Sequence, residues 1–489
     1  MRASTSASTG APALWSLDAV TAAMQAQRHG VLPADIPGLS IDSRTIGPGD
    51  AFFAIAGDNR DGHDFVPAAL AAGAGLAVVS ADKRTAMPAN APLLVVPDVL
   101  GALADLARAA RSRSRARIAA VTGSVGKTGT KEALRHVLAQ QTETHASVAS
   151  YNNHWGVPLS VARLPASARF AVLELGMNHA GEITPLTMLV RPHVAIVTAV
   201  APVHLEFFRS VDDIADAKAE IFVGVEAGGA AVINRDGSYF ARLANHATAA
   251  GVAKVVSFGE EPRADARLIE VSLAPDHSIV RADILGTDVT YRLGSPGRHV
   301  ARNSLAVLAA AVLMGGDLAA AASALASLEP PKGRGRPTTL DLPDGRALLI
   351  DESYNANPAS MRAALALLGQ SPVGPGGRRI AVLGDMLELG AQATRLHAEL
   401  VDPILAEGVD LVFCAGPLMR ALWQALPAQR RGACAPTSAA LEADVLGAIR
   451  AGDAVMIKGS LGSRMGPLVN ALTTRFPSHE AASQAAAQG

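Results

Sequence analysis

A glycine-rich turn carries the most specific chemical signal in the chain. It lies between a β-branched apolar segment and a segment of helix-forming residues. In that context, glycines let backbone N–H groups face phosphate oxygens, a lysine reaches the β- and γ-phosphates, and a threonine hydroxyl binds Mg²⁺. The turn therefore predicts a nucleoside-triphosphate site, with these contacts: Gly123, Ser124, Val125, Gly126, Lys127 and Thr128.

This loop is two residues shorter than the full G-x-x-x-x-G-K-[ST] pattern. An ordinary helix start with turn glycines therefore stays open as an alternative. The chain also lacks an Asn-Lys-x-Asp segment, which would read a guanine base, so a GTPase is disfavoured.

Polar residues follow two further apolar segments. Glu174 ends FAVLEL, and His204 follows HVAIVTAVAPV. Open α/β sheets place ligands at the carboxyl ends of strands, so Glu174 is a candidate Mg²⁺ ligand, with a capping or ion-paired glutamate as the alternative. Taken alone, a histidine at position 204 is more often a hydrogen-bonded structural residue. Lys218 by itself predicts only an exposed helical lysine.

Chain length and turn signals predict the domains that position these residues. At about 150 residues per domain, a chain of 489 residues predicts three domains. We place a small α/β domain at 14–115, a central domain at 116–330 and a third domain at 331–477, which follows the proline- and glycine-rich segment PPKGRGRP. The alanine-rich tail, 478–489, is predicted to be disordered.

Hydrophobic patterning predicts an α/β fold in the first domain. The apolar segments AFFAI, LAVVS and LLVVP are predicted strands, and helices are expected over 64–73 and 98–111.

The central and third domains show the same alternation of strands and helices. In the central domain it predicts a doubly wound, mostly parallel sheet, with antiparallel strands added over 265–294 and a helix over 298–314. Another open α/β sheet is predicted in the third domain from these strands: ALLIDES, RRIAVLG, LVFCAG and AVMIKGS.

Composition excludes several classes of protein. With 43 Lys and Arg against 44 Asp and Glu, the net charge of −1 disfavours a nucleic-acid-binding protein. Two cysteines without a C-x-x-C pair make a disulfide scaffold or a zinc site unexpected, and they fit a reducing cytoplasm. The longest apolar stretch, 305–316, is too short to span a bilayer, so we expect no transmembrane segment.

Arginines crowd the end of the first domain. We interpret them as a solvated helix terminus and linker rather than as a phosphate or nucleic-acid patch. They are Arg108, Arg111, Arg113, Arg115 and Arg117.

Ordered sequence blocks carry a family resemblance over nearly the whole chain. The chain resembles the Mur ligases, the ATP-dependent amide-forming enzymes of bacterial cell-wall precursor synthesis, through TGSVGKT, SYNNHWGVPL, LELGMNHAGEI, VHLEFF, AKAEIF, IDESYNANPASM and LGDMLELG. The resemblance implies an N-terminal domain for the UDP end of the substrate, a central P-loop ATPase domain, and a Rossmann-like C-terminal domain that closes over the site. Gly129 and Glu352 depart from the family, which often has threonine and aspartate there.

The resemblance also implies roles for individual residues. ATP and Mg²⁺ are the implied cofactors, with Lys127 and Thr128 on the phosphates and magnesium, and Glu174 as a magnesium ligand. His204 is implied to bind a second Mg²⁺. Lys218 is implied to be carbamylated, which makes it an anionic oxygen ligand. Lys127, Lys218 and His204 are thereby the expected catalytic residues. The other implied nucleotide contacts are Asn234, His299, Asn303, Arg334 and Asp351.

Substrate contacts are implied in all three domains. The first domain offers a serine hydroxyl and an arginine fork suited to a pyrophosphate, with an ion-paired turn as the alternative. The central domain offers the block that meets the sugar-peptide, and the third offers a YNANP block typical of dipeptide-adding members. The residues are Ser43, Arg44, Asn152, Asn153, His154, Tyr354, Asn355 and Asn357.

The implied reaction is an amide ligation through an acyl phosphate. Its implied partners are UDP-N-acetylmuramoyl-tripeptide and D-alanyl-D-alanine, and a cytoplasmic monomer is expected. A related ligase that adds a single amino acid is the nearest alternative, disfavoured by YNANP and by the absence of Asp-Asn-Pro-Arg. The second alternative is a noncatalytic ATP-dependent switch or sugar-nucleotide-binding protein. The joint presence of Lys127, Thr128, Glu174, His204 and Lys218 argues against it.

Overall fold

The computed structural model describes residues 13–57, 60–148, 150–203, 205–274, 276–331 and 333–478. They form three α/β units in chain order, each built around its own main sheet. This architecture confirms the predicted fold class. Apart from Ser478, the predicted tail lies outside the described residues.

The first unit contains a five-stranded sheet, ordered β2-β7-β6-β5-β4, in which only β2 is antiparallel to its neighbour. A separate pair, β1 with β3, joins antiparallel. The strands are β1 (Trp15–Ser16), β2 (Gln27–His29), β3 (Asp35–Ile36), β4 (Leu39–Ser40), β5 (Ala51–Phe53), β6 (Leu76–Ser80) and β7 (Leu93–Val96). The helices are α1 (Leu17–Met24), α2 (Val66–Ala71) and α3 (Val99–Arg113).

The second unit contains a nine-stranded sheet, ordered β16-β15-β14-β13-β12-β11-β8-β10-β9. Its strands are parallel except for the antiparallel extension of β14, β15 and β16, as predicted. The strands are β8 (Arg117–Thr122), β9 (Thr144–Ala146), β10 (Phe170–Glu174), β11 (Val194–Val197), β12 (Ala230–Asn234), β13 (Lys254–Gly259), β14 (Ala266–Leu273), β15 (Ser278–Ile284) and β16 (Thr287–Leu293).

Helices cover both faces of this sheet. They are α4 (Lys127–Ala139), α5 (Gly156–Ala162), α6 (Ile183–Val190), α7 (Val211–Ala219), α8 (Phe240–Ala249), α9 (Arg298–Leu313) and α10 (Leu318–Ala324). Alternate residues of β8 enter different cores: Ile118 and Ala120 pack in one cluster, and Ala119 and Val121 in the other. Because β8 is buried on both faces and lies between β11 and β10, its carboxyl end is held firmly inside the sheet.

The third unit contains a six-stranded sheet, ordered β17-β18-β22-β19-β20-β21, with only β17 antiparallel. The strands are β17 (Arg336–Leu342), β18 (Gly345–Glu352), β19 (Arg379–Gly384), β20 (Leu411–Ala415), β21 (Arg431–Ala435) and β22 (Ala454–Lys458). The helices are α11 (Pro358–Gln370), α12 (Ala393–Ala398), α13 (Val401–Ala406), α14 (Met419–Ala425), α15 (Ser438–Ala448) and α16 (Gly466–Arg475).

One arginine near the end of α3 joins the first two units. Arg111 is 6% exposed, and its guanidinium donates to the carbonyl oxygens of Val190 and Arg191 and pairs with Glu226. The prediction of a solvated helix end is therefore wrong at Arg111. Burial of the helix against the second unit removes water from this side chain, and central-domain acceptors replace it.

None of the helices in the described ranges is both long enough and apolar enough to cross a bilayer.

Candidate functional site

A cleft of about 650 Å³ lies between the second and third units. The carboxyl ends of β8 and β10 form one wall with the start of α9, and the carboxyl ends of β18, β19 and β22 form the other with the start of α11. Parallel sheets direct their loops to this edge, so both sheets present their binding edges to one cleft. The predicted site residues in its lining are Ser124, Val125, Gly126, Lys127, Thr128, Asn152, Glu174, His299, Asn303, Arg334, Tyr354, Asn355 and Asn357.

Two glycines shape the turn between β8 and α4. Gly123 has φ 149° and Gly126 has φ 82°, values that side chains disfavour. A Cβ at Gly123 would lie 2.0 Å from Oγ1 of Thr198, and one at Gly126 would lie 2.7 Å from Nδ2 of Asn303. Thr198 in turn donates from Oγ1 to the carbonyl oxygen of Val125 at 2.6 Å. The turn is thus packed too closely for other residue types.

Helix α4 begins at Lys127, inside the glycine-rich turn rather than after it. Its first turn therefore belongs to the cleft wall, and its free backbone N–H groups are available to an anion.

An oxygen-rich cluster lies beside this turn. The hydroxyl of Thr128 donates to Oε2 of Glu174 at 2.7 Å, and the amide nitrogen of Asn152 donates to Oε1 at 2.8 Å. Glu174 is 1% exposed. A buried carboxylate beside a hydroxyl and an amide suits a hard cation such as Mg²⁺. Within the described ranges, no group of three His, Cys, Asp or Glu side chains could hold a metal ion.

Two lysines stand near each other behind the cluster. Lys127 donates to the carbonyl oxygen of Gly123 at 2.7 Å. Burial lowers the pKa of Lys127, the Glu174 carboxylate opposes this effect, and Arg334 adds to it.

Lys218 is 2% exposed, so the expectation of an exposed helical lysine is wrong. Burial, and then the charge of Lys127, holds the pKa of Lys218 well below its usual value. Its ammonium group has no hydrogen-bond acceptor among the residues that the structure describes. Burial therefore favours the neutral amine, which is the nucleophilic form of a lysine.

The opposite wall contacts the first one directly. The phenol of Tyr354 hydrogen-bonds the hydroxyl of Ser150, and the Arg334 guanidinium lies 4.6 Å from the centre of the Tyr354 ring. His299, on α9, has its pKa lowered by burial, against the opposing effect of Glu352 on the third unit. The two units therefore meet through charged and aromatic side chains at the cleft.

Several predicted residues do not line the cleft. Asn234 donates to the carbonyl oxygen of Thr198 at 2.9 Å, and Asp351 accepts from the hydroxyl of Ser353 at 2.6 Å. Both contacts support loops of the cleft. Lys218 and Gly123 lie behind its lining, and His204 is outside the described residues.

Four substrate candidates also lie away from the lining. The Oδ1 atom of Asn153 accepts from the backbone N–H of Gly156, which starts α5, and His154 is exposed. In the first unit, Ser43 opens a short turn, and Arg44 pairs with Asp42 at 2.6 Å, as the ion-paired alternative expects.

Sequence reasoning missed Lys458 and Ser460, which line the cleft at the end of β22. Lys458 donates to Oε2 of Glu352 and to the carbonyl oxygen of Asn355, both at 2.9 Å. The available signal was the same one that selected Glu174, a polar residue directly after an apolar strand.

Comparison with known proteins matches all three units. The Mur ligase family catalytic-domain model matches residues 35–111, the Mur ligase middle-domain model 121–311, and the Mur ligase glutamate ligase domain model 335–461. The chain is 32% identical over 432 residues to the UDP-N-acetylmuramoyl-tripeptide–D-alanyl-D-alanine ligase of Rickettsia prowazekii (strain Madrid E), covering 88% of this chain and 94% of that protein. The chain belongs to the Mur ligase family.

Solved structures agree with this assignment. MurF from Acinetobacter baumannii superposes with a TM-score of 0.80 at 29% identity, covering 94% of this Mur ligase and 99% of that chain. The MurF ligase from Thermotoga maritima, in complex with ADP, superposes with a TM-score of 0.73 at 25% identity, covering 89% and 97%. The predicted family and its ATP-dependent ligase chemistry are confirmed.

Proposed function

We propose that this Mur ligase joins D-alanyl-D-alanine to the terminal carboxylate of UDP-N-acetylmuramoyl-tripeptide, through an acyl phosphate, in peptidoglycan precursor synthesis. One observation carries the proposal. The phosphate-type turn at Lys127 and the YNANP segment, including Tyr354 and Asn357, line opposite walls of one cleft. The relative in Rickettsia prowazekii, which has this ligase name, supports the choice of substrates.

The residues present fit a magnesium nucleotide. The first turn of α4 lines the cleft, and its free backbone N–H groups suit the oxygens of a phosphate. Thr128 and Glu174 would hold Mg²⁺ through oxygen atoms, the donor type that this ion prefers. ATP supplies the phosphoryl group that makes the carboxylate oxygen a leaving group, and Mg²⁺ offsets charge on the phosphates.

The chain's own residues orient and neutralise the reacting groups. Lys127 would leave the carbonyl of Gly123 and place its charge on the transferred phosphoryl group. The dipeptide amine then forms the C–N bond as the C–O bond to phosphate breaks. Contact between Tyr354 and Ser150 keeps the walls together, which excludes water that would otherwise hydrolyse the activated acid.

We assign the remaining nucleotide contacts to His299, Asn303 and Arg334 directly, and to Asn234 and Asp351 through the loops they support. Carbamylation of Lys218 would give this side chain an anionic oxygen ligand, and His204 would supply a nitrogen ligand.

We further propose that Ser43 and Arg44 bind the uridine-diphosphate end. Asn152, Asn153 and His154 would meet the sugar-peptide, and Tyr354, Asn355 and Asn357 the dipeptide. The boundaries at 14–115, 116–330 and 331–477 are part of the same proposal. So are a monomeric state, a cytoplasmic location and a consequent role in cell shape and division.

Phosphate release tests the proposed function. Purified protein with ATP, Mg²⁺ and UDP-N-acetylmuramoyl-tripeptide should release phosphate only when D-alanyl-D-alanine is added, and the product mass should equal the two substrates joined with loss of water. Release without the dipeptide, absence of release, or a preference for single amino acids would overturn it.

A further inference from the structure

A buried lysine on the C-terminal wall keeps a free donor. Lys458 is 2% exposed, and its ammonium group donates to Glu352 and to the carbonyl oxygen of Asn355. An ammonium group has three N–H donors. The third has no acceptor among the described residues, and Lys458 is part of the cleft lining.

The cap of α11 leaves a second donor free. Asn357 is 7% exposed, and its Oδ1 atom accepts from the backbone N–H of Ser360 at 2.9 Å. Its amide nitrogen has no acceptor in the part of the chain that the structure describes, and the residue lines the cleft. In the next turn, Ala359 also lines the cleft, and its backbone N–H is one of those that a helix start leaves unpaired.

These donors are held together rigidly. Lys458 binds the carbonyl oxygen of Asn355, and the Ser460 hydroxyl donates to the carbonyl oxygen of Ala356 at 3.3 Å. The end of β22 is thereby fixed to the residues that lead into α11. The 13-residue α11 adds the positive end of its dipole to the same place.

We propose that Lys458, Asn357 and the first turn of α11 bind the terminal carboxylate of the dipeptide acceptor. Lys458 already pairs with Glu352, so its contribution is the third N–H donor, which acts together with the Asn357 amide and the free N–H of Ala359. A carboxylate accepts several hydrogen bonds at once, which matches the free donors. Held at this end, the dipeptide keeps its amine free for the acyl phosphate. This inference rests on the proposed function.

Acceptor kinetics test the inference. The Asn357→Asp variant keeps the helix cap, loses the amide donor and gains a negative charge. We expect its KM for D-alanyl-D-alanine to rise about tenfold or more, whereas the KM values for ATP and the UDP-tripeptide stay within about twofold. Lys458→Met should behave likewise, and Lys458→Arg should recover part of the loss. Asn470→Asp and Lys254→Met, both at exposed positions, are the matched controls.

An uncharged acceptor separates carboxylate binding from a structural role. The wild-type protein should use D-alanyl-D-alanine amide at least about tenfold less efficiently than the acid, and Asn357→Asp should not lower its use further. Equal use of amide and acid, unchanged dipeptide KM values, or a rise in the KM for ATP instead would overturn the inference. If the wild-type protein releases no phosphate with the acid itself, the proposed function fails instead. A thermal melt of each variant checks folding.

Discussion

The hydroxyl of Thr128 donates to the carboxylate of Glu174 at 2.7 Å, although 46 residues separate the two in the chain. Glu174 ends β10, and Thr128 lies in the first turn of α4, which follows β8. The two residues meet because β8 and β10 are neighbouring parallel strands. The pair places a neutral oxygen and an anionic oxygen side by side at the binding edge. This is the chemistry that a magnesium nucleotide requires.

Loss of the Glu174 charge should impair the use of magnesium. Glu174→Gln keeps the size of the side chain and one acceptor oxygen but removes its charge, so kcat should fall by about 10²-fold or more, with partial recovery at high Mg²⁺. Phosphate release measured against Mg²⁺ concentration checks this. Glu143→Gln, the same change at an exposed position, should leave the curve unchanged. An unaltered Mg²⁺ dependence in Glu174→Gln would remove this residue from the proposed magnesium site.

Alanine should have opposite effects at two glycines of the turn and helix. Gly126 has φ 82°, and a Cβ there meets Asn303, so Gly126→Ala should lower the free energy of unfolding by about 1–3 kcal/mol. A Cβ at Gly129, inside α4, meets nothing within 4 Å, so Gly129→Ala should raise it by about 0.5–1 kcal/mol. Urea denaturation measures both. Destabilisation by Gly129→Ala would contradict this account.

Lys218 should take up carbon dioxide. Burial and Lys127 lower its pKa, which favours the neutral amine, the form that reacts with carbon dioxide. We expect a carbamate signal in the ¹³C NMR spectrum after labelling with ¹³C-bicarbonate, and its loss in Lys218→Met. Lys131 is an internal comparison, because it is equally buried but donates to the Ser147 carbonyl at 2.7 Å and pairs with Glu132. A signal that persists in Lys218→Met would place the modification elsewhere.

Arginines on one face of α3 differ in their contribution to stability. Arg111→Ala should cost about 2–4 kcal/mol, because it leaves two carbonyl oxygens of the central domain without their buried donor and leaves Glu226 with Arg191 as its remaining partner. Arg108 is exposed, and Asp105 is its one charged partner among the described residues, so Arg108→Ala should change stability by about 0.5 kcal/mol or less. Denaturation of the whole protein gives both values. Similar costs would mean that Arg111 does not hold the first unit on the second.

His193 should make stability depend on pH. Burial, followed by Arg117 and Arg111, lowers its pKa to about 4, and its Nδ1 atom accepts from the backbone N–H of Ile118 at 3.0 Å. The unfolded chain, with an ordinary histidine pKa of about 6.5, then binds more protons than the folded chain between these values. The free energy of unfolding should therefore fall as the pH drops from about 6.5 towards 4. His193→Asn keeps an acceptor but cannot titrate, so its slope over that range should be shallower; an identical slope would contradict this account.

Local patterns sufficed for much of the fold. Strands such as β5, β6 and β10 were predictable because uninterrupted β-branched and apolar residues leave a chain few other ways to be buried. The turn at Lys127 was predictable for a similar reason, since its glycines, lysine and threonine are adjacent in the chain and need no distant partner to be recognised.

Residues decided by distant contacts were not predictable in this way. Lys218 resembles any helical lysine, and only packing of α7 against the central sheet buries it. The sequence predicts a solvated Arg111, because the carbonyl acceptors of its guanidinium lie some 80 positions away in the chain. Lys458 carries no signal apart from its place after a strand, and its role depends on Glu352 and Asn355, which precede it by more than a hundred residues.

Neighbouring residues and ordered blocks were enough to predict many of the strands, the phosphate-type turn and the family. Which charged groups lose their water, and which partners replace that water, became clear only in the folded protein. That outcome depends on burial and on contacts between units, which no single segment of the chain specifies.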